Sequence, residues 1–262
     1  MFFKPVDASE IIKITKQLKS TKSTGHDELN IFILKRIIHW IAEPLRHVFN
    51  LSICTGNYPN AFKLAKVIPI FKKDNPNQCQ NYRPISILPC VSKILERIIF
   101  NQMYDFFEKH DILCPNQYGF RKHYSTDLAV LDLYNKITQS LANKEYVIGI
   151  FMDLSKAFDT LDHKILLYKL ERYGIRGTPL AWIKDYLNNR KQYVQFDSVK
   201  SHVLDLTCGV PQGSILGPLF FLVYINDLIY ASNVASYILF ADDTNLIWFV
   251  LLILNYLKLP AG

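Results

Sequence analysis

Cysteine is scarce in this 262-residue chain, and the placement of the few that occur excludes two kinds of framework. There are five, an odd number, and they lie far apart at Cys54, Cys79, Cys90, Cys114 and Cys208. Because no two of them form a Cys-x-x-Cys pair, the sequence indicates neither a zinc knuckle nor a disulfide network. Reduced thiols are typical of reducing compartments, so we expect an intracellular protein, in the nucleus, the cytoplasm or both.

The chain also lacks hydrophobic segments of the length that membranes require. Its start, Met1–Asp7, has no apolar core of the kind that defines a signal peptide. The longest uncharged apolar run, Leu246–Leu257, is shorter than the roughly 20 residues of a membrane-spanning helix. We therefore expect no membrane partner. A hydrophobic content of 50% is enough for the core of one large domain or two subdomains.

The excess of positive charge is confined to the first half of the chain. The net charge is +7, and residues 1–140 contain 19 Lys and Arg against 12 Asp and Glu, whereas residues 141–262 contain 11 of each. A cationic first half suits a phosphate-rich partner such as nucleic acid. An ordinary solvated surface is the alternative that charge alone leaves open.

Local patterns predict both helices and strands. Asp7–Glu10 has the form of a capping box and predicts the start of a helix. Ala65–Asp74 has the pattern of a strand that ends in cations, and Arg190–Phe196 with His202–Thr207 alternate like the two strands of a hairpin. The run Gly217–Tyr230 predicts an apolar helix.

Three carboxylates follow or interrupt runs of β-forming residues. Asp242 and Asp243 are adjacent between two apolar runs, and Asp153 ends the run Tyr146–Asp153. Carboxylates at strand ends and turns can converge on one point and hold divalent cations. Two such cations about 3.5–4 Å apart promote in-line phosphoryl transfer, so this pattern indicates a metal-assisted phosphoryl transferase.

A structural reading of the same acids is also open, because adjacent acids are common at β-turns, where Asp bonds to its own backbone. Two features favour a metal site. Apolar residues flank Asp242 and Asp243, which predicts a buried hairpin, and Asp153 supplies a third acid. Carboxylates packed together repel, so one pKa should rise, and bound Mg²⁺ would remove that penalty.

Other segments have both a structural and a nucleotide-binding interpretation. Lys72, Lys73 and Arg83 flank a polar loop; they form either a basic surface or a grip on a triphosphate. The turn-rich loop Gly209–Pro218 is either a tight connection or a backbone surface that lies close under a nucleotide. Phe158, five residues after the first acid, is either a core aromatic or a wall beside a sugar.

Six segments occur in the order found in the reverse transcriptases of non-LTR (LINE-type) retrotransposons, which the chain resembles from about residue 3 to residue 248. They are Lys22–Asp27, Asn81–Leu88, Asn116–Arg121 with Ser125 and Thr126, Met152–His163, Gly209–Pro218 and Phe240–Asp243. The last segment reads Phe-Ala-Asp-Asp and differs from the Tyr-Met-Asp-Asp of retroviral enzymes.

This resemblance implies an α/β (α+β) right-hand polymerase. Residues 1–140 would be mainly fingers, residues 141–249 mainly an antiparallel-sheet palm with a fingers-like insertion, and residues 250–262 an atypical tail. The implied activity is RNA-directed DNA polymerisation, with an RNA template, a DNA primer and dNTPs as partners. The sequence does not identify protein partners.

The resemblance also implies a metal centre with two Mg²⁺ ions, for which Mn²⁺ is a possible substitute. Asp153, Asp242 and Asp243 would be both the catalytic residues and the metal ligands, joined by the carbonyl of Leu154. The implied reaction is in-line attack of the primer 3′-hydroxyl on the α-phosphate of a dNTP.

By the same resemblance, five further residues would bind the incoming nucleotide. Lys72 and Arg83 would hold its triphosphate, and Gln212 with Gly213 would line the nucleotide and template site. Phe158 would be the steric gate that excludes a ribose 2′-hydroxyl.

The chain departs from the family after the hairpin. The family continues with further palm strands and a thumb, whereas this chain has only the 13 residues Val250–Gly262, and the usual N-terminal endonuclease is absent. We therefore expect a copy shortened by a frameshift, a splice change or truncation. Two functions stay open: a polymerase domain, and a catalytically impaired remnant that still binds nucleic acid. A weaker third reading is a translated pseudogene that does not fold stably.

Overall fold

The computed structural model describes residues 1–251, which form two compact units. The first unit contains residues 1–112 and 156–224, and the second contains residues 113–155 and the described part of the chain from residue 225. The predicted boundary between fingers and palm near residue 140 does not coincide with these limits and stays a prediction. The predicted atypical tail, residues 250–262, lies almost wholly outside the described residues.

Helices and strands both occur, so the predicted mixed α/β class is confirmed. The α-helices of the described residues are α1 (Ala8–Gln17), α2 (Ile31–Thr55), α3 (Cys90–Lys109), α4 (Thr126–Ala142), α5 (His163–Arg172), α6 (Thr178–Leu187) and α7 (Leu216–Ile225). The strands are β1 (Leu64–Phe71), β2 (Tyr82–Ile87), β3 (Glu145–Asp153), β4 (Arg190–Phe196), β5 (Val199–Lys200), β6 (Leu204–Leu206), β7 (Ala235–Phe240) and β8 (Asp243–Leu251).

Each unit has its own sheet. In the first unit the strand order is β2-β1-β4-β5, and β6 also pairs with β4. The pair β1–β4 is parallel and the others are antiparallel. In the second unit the order is β3-β8-β7 and both pairs are antiparallel, as the sequence predicts for the strands around the acids.

Local capping explains where several helices begin. The predicted helix start is confirmed, because the Asp7 carboxylate accepts the Glu10 backbone N–H at 2.8 Å before α1. Asp162 caps α5 in the same way through the N–H groups of Lys164 and Ile165. At the C-terminal end of α2, Gly56 takes the left-handed conformation (φ +73°) that ends many helices.

Two predicted elements differ in extent from the structure. The apolar helix predicted to reach Tyr230 ends at Ile225, and a single 3₁₀ turn follows at Leu228–Tyr230. Asn226, the residue after this helix, accepts the Cys114 N–H at 2.7 Å through its Oδ1. The predicted hairpin partner of β4, His202–Thr207, is reduced to the three-residue strand β6. The end of β4 pairs instead with β5 across a tight turn.

Neither a membrane-spanning helix nor a disulfide occurs among residues 1–251. Among residues 1–251, no helix is both long enough and apolar enough to cross a membrane. All five cysteines are free thiols. Cys90 is buried at the start of α3, and burial raises the pKa of its thiol to about 12.

Aromatic side chains fill the core of the first unit. Trp182 and Tyr186 stack with centroids 5.7 Å apart, and Tyr58 meets both rings edge-on at 5.3 and 4.9 Å. The Trp182 indole N–H donates to the Ser52 hydroxyl at 2.9 Å, which satisfies its one buried donor. The guanidinium of Arg190, also buried, lies over the Tyr186 ring at 4.7 Å.

A buried acid, Glu96 on α3, joins this core to α7. One of its carboxylate oxygens accepts the backbone N–H groups of Ile215 and Leu216, at 2.7 and 3.3 Å, where α7 begins. Burial raises the pKa of the Glu96 carboxyl, and the positive charge of Arg190 opposes that rise. The acid therefore anchors the start of α7 and the loop that precedes it.

Replacing Glu96 with alanine is expected to lower the free energy of unfolding by about 3 kcal/mol, because two backbone N–H groups lose their acceptor and the buried Arg190 loses a nearby opposite charge. Glu43 is the matched control, since it is exposed and pairs only with Arg46 on the same helix. Its replacement should change stability by less than about 0.5 kcal/mol. Urea unfolding followed by circular dichroism measures both, and equal stabilities of the two variants would contradict the anchoring role.

Candidate active site

The antiparallel register of β3 and β8 places Asp153 directly opposite Asp243. The Leu154 N–H donates to the Asp242 carbonyl at 3.2 Å, just beyond this pair. That bond marks Asp153 and Asp243 as a non-hydrogen-bonded pair, in which Cα atoms lie about 4.5 Å apart and side chains share one face. Two of the three predicted acids are therefore close neighbours on the same side of the sheet.

The third acid, Asp242, belongs to the turn of the β7–β8 hairpin. Phe240 pairs with Asp243, so Ala241 and Asp242 form a two-residue loop. Ala241 has φ +56°, a left-handed conformation that suits the twist of a tight hairpin. It costs a residue with a Cβ atom about 1–2 kcal/mol. Asp242 is half-buried, whereas Asp153 and Asp243 are exposed.

The electrostatics of this pair favour a bound cation. Among the described residues, no Lys, Arg or His forms an ion pair with Asp153, Asp242 or Asp243. Like charges directly opposite each other in a ladder are destabilising. The carboxylate oxygens of Asp153, Asp242 and Asp243 are hard ligands of the kind that Mg²⁺ prefers, so the chemistry of this donor set fits a divalent ion.

The protein alone does not provide a full metal cage at this site. Within residues 1–251, no three His, Cys, Asp or Glu side chains are gathered into a group that could hold a metal ion. Mg²⁺ is usually held by one or two carboxylates together with water and substrate phosphate oxygens. Asp153 and Asp243 would supply two carboxylates to such an ion.

Part of one of the six segments, to which no role was assigned, lies beside the hairpin. Asn116–Tyr118 runs parallel to β7, since the Tyr118 N–H donates to the Leu239 carbonyl at 2.7 Å and the Leu239 N–H donates to the Asn116 carbonyl at 2.9 Å. The Asn116 side-chain amide also donates to the Tyr237 carbonyl at 3.0 Å. This short stretch extends the support of β7 up to the turn that carries the acids.

The residues predicted to bind a nucleotide all lie in the first unit. Arg83 on β2 pairs with Ile70 on β1, and Lys72 follows two residues later, with its N–H bonded to the Asn81 carbonyl at 2.9 Å. Lys72 is the first residue after β1, and its backbone bond to Asn81 keeps it at the same end of the hairpin as Arg83. Both side chains are exposed, so the two cations could contact the same anion.

Gln212 and Gly213 lie against β2. The Ser86 N–H donates to the Gln212 carbonyl at 2.8 Å. A Cβ atom on Gly213 would lie 2.5 Å from the Ser86 carbonyl oxygen, and the φ of Gly213 is +129°. Only glycine meets both conditions, which explains why the loop has this residue where it touches the strand.

Phe158 is held at its ring and at its backbone. Its ring stacks on Phe221 of α7 with centroids 5.2 Å apart, and its carbonyl accepts the Val210 N–H at 2.8 Å. A Cβ atom on Gly209 would lie 2.7 Å from the same carbonyl oxygen. The loop Gly209–Pro218 therefore touches the Phe158 segment at one end and β2 further along.

These segments are those of the reverse transcriptase class of protein domains. The family model described as "Reverse transcriptase (RNA-dependent DNA polymerase)" matches residues 70–248, about two thirds of the sequence, and the chain belongs to this family. The matched range includes β3, most of β8 and the loop Gly209–Pro218.

The relatives that it resembles are proteins of mobile elements. It is 32% identical to the RNA-directed DNA polymerase from mobile element jockey of Drosophila melanogaster, over 85% of this chain and 24% of that protein. It is 33% identical to the probable RNA-directed DNA polymerase from transposon BS of the same fly, over 86% of this chain and 25% of that protein. These matches confirm the predicted relation to non-LTR retrotransposons, and the chain spans about a quarter of these relatives' length.

Replacing Asp243 with asparagine should raise the free energy of unfolding by roughly 0.2–1 kcal/mol without divalent ions, because it removes a like-charge cross-strand pair. The gain should shrink in 1 M salt, which screens exposed charges. Asp197→Asn, an exposed acid in the first unit, is the control; asparagine also suits its left-handed backbone (φ +51°), so any gain there should not shrink in 1 M salt. Thermal and urea unfolding measure the difference; a less stable Asp243→Asn protein in low salt would contradict the repulsion.

Proposed function

We propose that this chain is an RNA-directed DNA polymerase domain that adds dNTPs to the 3′-hydroxyl of a DNA primer on an RNA template. The observation that carries the proposal is the pair Asp153 and Asp243, opposite each other at one end of a sheet without a countercharge among the described residues. Such a pair has a physical use in binding divalent ions and is otherwise unfavourable.

Asp153, Asp242 and Asp243 would hold the divalent ions, with the carbonyl of Leu154 as a further ligand. Mg²⁺ is the expected ion and Mn²⁺ a substitute, because both take oxygen ligands. When bound, a pair of such ions neutralises charge on the attacking and leaving oxygens of a phosphoryl transfer. The role of the protein is to fix these carboxylates on two paired strands, so that little reorganisation is needed when the substrate binds.

In the first unit, Lys72 and Arg83 would bind the triphosphate of the incoming nucleotide. Their placement at one end of the β1–β2 hairpin supports this role, and the Arg guanidinium can bond two phosphate oxygens at once. Gln212 and Gly213 would line the nucleotide and template site, supported by the close contact of their loop with Ser86. That contact fixes the loop backbone relative to β2.

Phe158 would act as the gate that rejects a ribose 2′-hydroxyl. The stacking on Phe221 supports this role, because a ring restrained on one side cannot turn away from a larger sugar. The basic excess of residues 1–140 supports binding of the nucleic acid backbone.

Primer extension on poly(rA)/oligo(dT) with Mg²⁺ tests the proposal. Asp153→Asn and Asp243→Asn should each lower the rate by at least about a thousandfold, since each removes a metal ligand. Asp197→Asn should retain the full rate. Extension near the wild-type rate by Asp153→Asn or Asp243→Asn would remove that residue from the catalytic role.

The same experiment separates the second function. If the wild-type chain yields no product but binds RNA with an affinity that falls steeply with salt, the nucleic-acid-binding remnant is the better account. The basic excess of the first half is the observation that favours it.

Phe158→Val should increase incorporation of rNTPs relative to dNTPs by on the order of tenfold, because a smaller side chain leaves room for the 2′-hydroxyl. The ratio of kcat/KM values for dTTP and UTP measures this change. Phe106→Val, also in the first unit, is the control and should leave the ratio unchanged. An unchanged ratio in Phe158→Val would contradict the gate.

A further inference from the structure

The side chain of Gln117 contacts the turn that carries Asp242 and Asp243. It is only 4% exposed, and its Oε1 accepts two backbone N–H groups, from Gly119 at 2.7 Å and from Ala241 at 2.9 Å. A carbonyl oxygen has two lone pairs, so one atom satisfies both donors. The bond to Ala241 links residues that are 124 positions apart in the sequence.

The contact requires glycine at position 119. A Cβ atom on Gly119 would lie 2.2 Å from the Ala241 nitrogen and 2.9 Å from its Cα. Gly119 is not among the glycines with positive φ, so the requirement comes from close approach and not from its own backbone conformation. The backbone of the Gln117–Gly119 turn therefore packs directly against the turn of the hairpin.

This contact occurs where the hairpin is under strain. Ala241 holds a left-handed conformation and its side chain is buried. Such conformations persist where the surroundings fix them, and they cluster at functional sites. The bond from the Ala241 N–H to Gln117 is one of those restraints, and Asp242 is the next residue along the chain.

We propose that Gln117 is a positioning residue for Asp242 and Asp243, and that Gly119 provides the space for the contact. Gln117 fixes the rotation of the Ala241 peptide and so sets the directions of the two acids that follow. This inference rests on the proposed metal-binding role of those acids. Loss of the contact should leave the sheet in place but weaken divalent-ion binding.

The variant Gln117→Met tests the proposal in the complete 262-residue chain, because methionine is unbranched and of similar length but lacks the acceptor oxygen. Two quantities are measured: amide hydrogen exchange at Ala241 by NMR, and Mn²⁺ affinity by electron paramagnetic resonance of the free ion. We expect exchange at Ala241 to be at least about tenfold faster and the Kd for Mn²⁺ to rise about tenfold, the scale on which groups supporting metal ligands act.

Ala129→Gly is the matched control for lost stability. Ala129 is buried on α4 of the same unit, and glycine there weakens the helix without touching the turn. This variant should unfold at a lower temperature and keep the wild-type Kd for Mn²⁺. If Ala129→Gly and Gln117→Met weaken Mn²⁺ binding equally, Gln117 has only a general stabilising role and the inference is wrong.

Asp243→Asn separates this inference from the proposed function. If Asp243→Asn loses Mn²⁺ binding while Gln117→Met keeps it, the positioning role is overturned and the metal site stands. If Asp243→Asn binds Mn²⁺ like the wild type, the metal site itself is overturned, and the inference with it. Unchanged exchange at Ala241 in Gln117→Met would also overturn the positioning role. Gly119→Ala should reproduce the Gln117→Met result if it folds.

Discussion

The candidate active site depends on the register of β3 against β8. The ladder extends over nine residue pairs and ends at Asp153 and Asp243. Because side chains alternate along a strand, a slip of one residue would send Asp153 to the opposite face and separate the two acids. Leu239 on β7 and Ile247 on β8 are buried, whereas every side chain of β3 is exposed or half-buried. The register of β3 therefore rests on its nine paired positions along β8, which hold together two charges that would otherwise separate.

In each unit, one buried side-chain oxygen accepts two backbone N–H groups next to a loop of the proposed site. In the second unit, one oxygen of Gln117 accepts the N–H groups of Gly119 and Ala241. In the first, one oxygen of Glu96 accepts those of Ile215 and Leu216, just after the loop that contains Gln212. A buried acceptor that serves two backbone donors fixes a peptide plane more firmly than one bond can, because both directions are constrained. Neither acceptor touches the reacting groups in the proposed reaction.

Elements set by neighbouring residues could be predicted from the sequence, whereas side-chain contacts between residues far apart in the chain could not. The helix start at Asp7, the strand before Asp153 and the hairpin at Asp242 each follow from neighbouring residues, and the structure has all three elements. Gln117 and Glu96 act on backbone atoms more than 100 residues away, and spacing carries no signal for such pairs. The hint for Glu96 was its position among the apolar residues Ile94, Leu95, Ile98 and Ile99 of α3. The compact units were likewise missed, since each combines two separate parts of the chain.

The central claim is that paired acids at the end of this ladder bind divalent ions. Anomalous X-ray scattering from a crystal of the chain grown with Mn²⁺ and a primer–template tests it most directly. The account predicts a manganese peak within coordination distance of carboxylate oxygens from both Asp153 and Asp243. A fully occupied manganese peak bound elsewhere, or the two carboxylates on opposite faces of the sheet, would contradict it.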